Sequence, residues 1–202
     1  MKKAELVEYK RRYEDSLQEI ANNLETYLEK LLIGYERIDR ISARAKSPDR
    51  FNAKAIKLTQ EGKPKYVSPL VELQDQIGAR IVVFYKADVD SVSAVVDKYI
   101  RHVEVQELKP DSEWEFGYFG KHYIKALPLD VIPSNIDKDQ VPRFFELQVK
   151  TLFQHAWSEA NHDICYKPGQ ELTSDQTRRF AFTAAQAWGA DRVFEELRTE
   201  LL

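Results

Sequence analysis

The chain has 202 residues, 43% hydrophobic and 11% aromatic, enough for one domain with a sizeable core. Its formal net charge is only -3, so overall charge gives no footing to a non-specific nucleic-acid binder, which would need a local patch. Cys165 is the single cysteine, which excludes an intramolecular disulfide, and no apolar run approaches the roughly 18 residues of a membrane span; a soluble, cytoplasmic protein with no membrane partner is expected.

In chain order, Leu6, Tyr9, Tyr13, Leu17, Ile20, Leu24, Tyr27, Leu28, Leu31 and Leu32 recur at three- and four-residue spacing. This predicts one long amphipathic helix ending near Gly34, which suits packing within the chain or an oligomer contact. Residues 35–68 are rich in basic and turn-forming residues, and Ser47-Pro48-Asp49 resembles a helix start. Pro69 to Gln76 reads as a short helix or turn. Ala79 to Tyr85 is dense in β-branched and aromatic residues and reads as a buried strand. Asp88 to Ile100 is helical, with Val89, Val92, Val95, Val96 and Tyr99 in register, and strands follow at His102 to Leu108 and about Lys121 to Leu127.

At Phe144 the pattern is again that of a strand. Phe145, Leu147 and Val149 point one way; Glu146, Gln148 and Lys150 point the other. From Thr151 the period becomes helical, with Leu152, Phe153, Ala156 and Trp157 as an apolar stripe and His155, Glu159 and His162 on a solvent-facing line. Thr173 to Leu202 is a last helix, capped by Thr173 or Ser174. The pattern predicts an α/β domain: a mixed sheet of four to five strands with packed helices and long N- and C-terminal helices. It divides into an N-terminal helix (1–34), a core (35–167) and a C-terminal helical extension (168–202).

Three constellations carry candidate chemistry. Arg44, Lys46, Arg50, Lys54, Lys57, Lys63 and Lys65 are opposed only by Asp49 and Glu61; Arg50, Lys54 and Lys57 fall on one helical face. Such a face is either solvated or the seat of a polyphosphate. Asp75 precedes one buried strand and Glu146 lies within another; two such carboxylates are idle unless they converge, and hold a magnesium ion if they do. In Phe116-Gly117-Tyr118-Phe119-Gly120-Lys121-His122-Tyr123, two glycines frame aromatics that either anchor a turn or stack on a nucleobase.

In this order the pieces resemble the synthetase domain of the RelA/SpoT family, above all its small single-domain alarmone synthetases. The resemblance spans about Arg44 to Lys167. It rests on Arg-Ala-Lys-Ser-Pro with Lys54 downstream, Gln-Asp-Gln-Ile-Gly-Ala-Arg-Ile at 74–81, Gly-Tyr-x-x-x-His at 117–122, and Glu-Leu-Gln-Val-Lys-Thr followed by His-Ala-Trp-Ser-Glu-Ala-Asn-His-Asp-x-x-Tyr-Lys. It implies a nucleotidyltransferase-like fold and transfer of the β,γ-pyrophosphate of ATP to the 3′-hydroxyl of GDP or GTP, with Mg2+ as cofactor. By the same resemblance Arg44 and Arg80 sandwich adenine, and Lys46 and Lys54 bind phosphate. Asp75 and Glu146 are then the metal ligands and catalytic pair, Glu146 also taking the hydroxyl proton. Tyr118 stacks on the acceptor base, His122 lies beside the acceptor's phosphates, and Gln148 and His155 add acceptor contacts. Small relatives often form homotetramers, so a tetramer or dimer is a further expectation.

The departures fall on the acceptor side. Phe119-Gly120 stands where the family commonly has Arg-Ser or Arg-Ala, and Asp111-Ser112-Glu113-Trp114-Glu115 is acidic where guanosine-using members are often basic. This opens two other acceptors, an adenine nucleotide or the 3′ end of tRNA, as in toxin-like relatives. Two readings from other classes are a metal hydrolase built on His155, Glu159 and His162, and a catalytically inactive nucleotide sensor. A stoichiometric zinc would favour the first; the presence of both Asp75 and Glu146 argues against the second.

Overall fold

The structure, a computed structural model, describes residues 3–108, 116, 120–165 and 172–202. Helix α1 (Lys3–Arg12) passes through a π-helical turn, Tyr13–Leu17, into α2 (Gln18–Leu31). The expected single N-terminal helix is therefore interrupted. Its apolar stripe does become core: Tyr9, Leu17, Ile20, Ala21, Leu24, Leu28 and Leu32 are all buried. Gly34 takes a left-handed φ of 92°, the conformation that ends a helix at little cost.

Strand β1 (Ile38–Ala45) follows, then α3 (Pro48–Ala55), the short α4 (Pro69–Glu72), β2 (Ile77–Val83), α5 (Lys86–Tyr99), β3 (His102–Leu108), β4 (Gly120–Ala126), β5 (Phe144–Thr151), α6 (Leu152–Cys165) and α7 (Ser174–Leu201). The five strands order as β1-β2-β5-β4-β3. Only β2 and β5 run parallel; the other neighbours are antiparallel. The fold is the mixed α/β sheet the pattern predicts.

The fifth strand, β1, lay unread in the basic stretch. Its register against β2 shifts between Ile38 and Arg40. That irregularity resets the inside-outside alternation, so Ile38 and Ile41 stand three apart and the period of two is hidden. Strand β2 begins two residues earlier than expected and ends at Val83, leaving Phe84 and Tyr85 beyond it.

One face of the sheet is covered. Ala79, Ile81, Val83, Phe145, Leu147, Val149 and Tyr123 join one core there with the buried residues of α2, Val92 and Val96 of α5, and Phe51 and Ala55 of α3. Helix α6 rests over β2 and β5 on the opposite side but buries none of its own residues. Its expected apolar stripe does not face the sheet core: Ala156 is exposed, while Phe153 stacks on Phe194 of α7 at 5.5 Å and Trp157 Nε1 donates to Thr183 Oγ1 at 3.0 Å. Among the described residues the remainder of that sheet face stays open.

The C-terminal helix starts at a reciprocal capping box between Thr173 and Gln176. It reaches the amino ends of two other helices. Asp191 Oδ2 accepts from Thr151 Oγ1, the cap of α6, and Glu195 Oε2 accepts from Ala87 N at the start of α5.

Candidate active site

Cross-strand register assembles the site on the open face of the sheet. Arg44, Gly78, Glu146 and Ile124 form one row across β1, β2, β5 and β4; Ser42, Arg80, Gln148 and His122 form the next. A period of two along each strand keeps both rows on one face, while Phe145, Leu147 and Val149 take the other. A cavity of about 390 Å³ opens over these rows, lined by Arg44, Lys46, Arg50, Asp75, Gly78, Arg80, Glu146 and Gln148, with Tyr13 from the N-terminal helix. The candidate carboxylates Asp75 and Glu146, 71 positions apart in the chain, thus line one cavity.

Local structure explains how Asp75 arrives there. The buried Gln76 side chain donates from Nε2 to Leu70 O at 2.9 Å and Leu73 O at 3.0 Å, which ties the turn ahead of β2. Its main-chain carbonyl accepts from Lys46 N at 2.8 Å. Asp75 and Lys46 are therefore held side by side through the backbone. In α3, Phe51 and Ala55 are buried, so Arg50 and Lys54 are turned out of the core. Lys57 falls beyond α3, so the expected helical face of Arg50, Lys54 and Lys57 ends at Lys54.

Charge is dense here. Asp75 Oδ2 contacts Lys46 Nζ at 2.9 Å and Lys54 Nζ at 2.6 Å, while Asp75 Oδ1 is buried and accepts no hydrogen bond from the described residues. Burial opposes the charge on Lys54, but the bond to Asp75 and the charges of Asp75, Tyr66 and Glu146 together outweigh it and raise its pKa. Glu146 Oε1 accepts from His122 Nδ1 at 3.2 Å and Oε2 accepts from Gln148 Nε2 at 2.7 Å. Burial disfavours ionised Glu146, yet His122, Gln148 and the charge of Lys54 together bring its carboxyl down to about 2. Arg44 is shifted below its ordinary value by burial first, then by the charges of Arg50 and Arg80. Four cations on the cavity lining face two carboxylates. Such crowding of like charge is relieved by an anion.

Arg80 is held from the far side by α6. Its Nη1 donates to Glu159 Oε1 at 2.6 Å and lies 3.2 Å from His155 Nδ1, whose lone pair then faces the guanidinium. Burial and the Arg80 charge both lower the His155 pKa, consistent with a neutral ring. Thr151 begins α6 with a reciprocal box: its Oγ1 accepts from Gln154 N and its N–H donates to Gln154 Oε1, both at 3.1 Å. This sets the helix so that residues 155 and 159, four apart, reach Arg80 together. Lys150, next on the same strand face, is buried; burial, then the Arg80 charge, brings its ammonium down to about 7.

Arg44, Lys46, Lys54, Asp75, Arg80, Glu146, Gln148 and His122 are thus gathered around or beside one cavity. His155 sits instead against Arg80. Tyr118 lies outside the described residues, as do residues 111–115 and Phe119. Among the described residues no three His, Cys, Asp or Glu side chains are grouped to hold a metal ion, and His155 and Glu159 direct their polar atoms at Arg80. Sequence reading did not single out Tyr13 or Gly78. Tyr13 hid inside an apolar stripe, but the Gln-Ile-Gly-Ala-Arg run carried a signal: a glycine within a buried strand marks a close approach.

Residues 43–171, more than half of the chain, match a family described as a region found in RelA / SpoT proteins. The fold is similar to that of a GTP pyrophosphokinase family protein from Streptococcus pneumoniae, with 20% identity, TM-score 0.71, and coverage of 89% of this chain and 88% of that one. It is similar to small alarmone synthetase 1 from Bacillus subtilis bound to its product pppGpp, with 22% identity, TM-score 0.71, and coverage of 97% and 95%. Small alarmone synthetase 2 from the same organism gives 21% identity, TM-score 0.71, and coverage of 99% and 100%. Comparison with curated proteins found no match.

Proposed function

This chain belongs to the RelA/SpoT family, and from that premise we propose that it is an ATP-dependent pyrophosphokinase that makes ppGpp or pppGpp from GDP or GTP. The observation that carries the reading is the convergence of Asp75 and Glu146 in a cavity where cations outnumber carboxylates. A chelated polyphosphate needs both features: cations for its oxygens and carboxylates for its metal. One B. subtilis relative of the same fold was solved with pppGpp and again with AMPCPP, which accords with ATP as donor and a guanosine nucleotide as acceptor.

Donor binding falls to the rows on β1 and β2. Arg44 and Arg80 are diagonal neighbours across Gly78, roughly 7–8 Å apart at the backbone, which leaves room for one planar ring between two guanidinium planes. Gly78 has no side chain to obstruct the floor, and a Cβ there would meet no atom within 4 Å. Lys46, Lys54 and Arg50 then face the phosphates.

Asp75 and Glu146 fit a divalent cation: Asp75 Oδ1 is buried with no donor among the described residues, and Glu146 stays ionised at neutral pH. When bound, Mg2+ would supply charge neutralisation at the β- and γ-phosphate oxygens. Glu146 accepts from the ribose 3′-hydroxyl and orients it. The 3′-oxygen to Pβ bond forms, the bond from Pβ to the α,β-bridging oxygen breaks, AMP leaves with that oxygen and the hydroxyl proton passes to water. A carboxyl at about 2 is a weak base. The demand is small because a loose phosphoryl-transfer transition state requires little early deprotonation. His122 and Gln148, bonded to Glu146, hold it toward the acceptor side.

A second reading concerns the acceptor alone. By the resemblance, the acidic run Asp111 to Glu115 stands where guanosine-using members are often basic, and negative charge there disfavours the 5′-phosphates of GDP or GTP and favours an adenine nucleotide or a tRNA 3′ end. One experiment tests both. The protein is incubated with Mg2+, γ-labelled ATP and, separately, GDP, GTP, ADP, AMP and tRNA. Label on GDP or GTP is the expected result, and label on another acceptor replaces the guanosine reading. Glu146→Gln should lose at least about a hundredfold in transfer while binding ATP nearly as the parent does; a parent-like rate in that variant contradicts its role.

A further inference from the structure

The geometry points to Tyr13 as a residue of the donor site, its phenol hydroxyl donating to the triphosphate beside Lys46 and Arg50. This inference rests on the reading of the cavity as the donor nucleotide's. Tyr13 is the only cavity-lining residue the N-terminal helix supplies among the described residues, and it opens the π-helical turn Tyr13–Leu17. Such turns are rare and recur at functional sites.

The turn is held against the phosphate-binding elements by an independent set of contacts. One helical turn earlier, Tyr9 stacks on Phe51 of α3 with ring centroids 3.6 Å apart and planes within 8°. The Tyr9 hydroxyl donates to Lys46 O at 2.7 Å. On the turn's own side, Arg12 Nη1 donates to Gln140 O at 3.2 Å. Tyr13 and Asp75 line the same cavity. Tyr9, fully buried, is the anchor. Tyr13, only half-buried, keeps part of its side chain on the cavity.

Chemistry explains why a phenol suits this wall. The charges of Arg50 and Arg80 already disfavour that of Arg44, so another cation would deepen the repulsion. A neutral hydroxyl adds a hydrogen bond to an anionic oxygen without that cost. Such a bond is made only when the triphosphate is seated, so its loss should appear in donor affinity and in transfer, with fold stability unchanged.

Tyr13→Phe keeps the ring and removes only the hydroxyl. In the full chain we expect an unchanged melting temperature, about tenfold weaker binding of Mg-ATP by calorimetry, and about tenfold lower kcat/KM for ATP. Binding and kinetics within twofold of the parent would overturn the inference. Should the variant fold poorly, 3-fluorotyrosine placed at position 13 of the parent chain gives a second readout: its fluorine resonance should shift on adding AMPCPP with Mg2+, and an unmoved resonance at saturation overturns the inference. The underlying reading fails separately. A parent protein that binds Mg-ATP with a Tyr13 response but labels no acceptor sinks the pyrophosphokinase and sustains the contact; a parent that binds no ATP sinks both.

Discussion

Gly78 shows how much one residue decides here. It lies between Arg44 on β1 and Glu146 on β5, in the row that forms the cavity floor. Its surroundings leave open space where a side chain would stand. Gly78→Val should therefore leave the fold intact, since valine suits a strand, while placing a branched side chain where the nucleotide would lie. We expect the melting temperature to hold and ATP affinity to fall at least about tenfold, measured by calorimetry. Unaltered affinity would move the nucleotide off this floor. Arg80 is a different case: its pairing with Glu159 and His155 could be foreseen only in part, because helix spacing puts residues 155 and 159 on one line but does not say what stands opposite.

Among the elements, α7 binds the architecture to the site. Through Asp191 it reaches the cap of α6, the helix that supports Arg80. Asp191 is buried, its Oδ1 accepts nothing from the described residues, and burial raises its pKa to about 6, against the opposing hydrogen bond from Thr151. The sign follows from proton linkage. Between an unfolded value near 4 and the folded value, the native state holds more protons, so this group makes stability fall as pH rises from about 4 to about 6, with no further change above. Asp191→Asn keeps an acceptor for Thr151 without the charge. It should flatten that part of the stability curve and stabilise the protein by about 1–2 kcal/mol at pH 7.5, measured by urea denaturation across pH. A parent-like slope in the variant would show that another group titrates there.

At the scale of the whole molecule, the cavity joins the N-terminal helix, the β1 edge, the loop before β2 and the central strand β5, and its cations repel without a ligand. Mg-ATP at a hundred times its dissociation constant should add about 2.7 kcal/mol of stability and raise the melting point by roughly 5–10 °C. The rise should be largely lost in Gly78→Val, and scanning fluorimetry with and without Mg2+ checks both. Strands β2 to β5 and the helices were legible because buried elements must repeat apolar residues at their own period. So were Asp75 and Glu146 as candidates, through the resemblance of the blocks that hold them. Strand β1 was illegible because a register shift breaks its alternation, and the stripe on α6 misled because an apolar line does not say whether a sheet or another helix will cover it. Local pattern and side-chain chemistry were enough for the class of sheet, the family and the candidate residues. That Asp75 and Glu146 share one cavity, that α6 takes hold of Arg80 and that Tyr13 joins the wall emerged only in three dimensions. Those are distances between segments far apart in the chain, and they follow from strand register and packing, which no local pattern encodes.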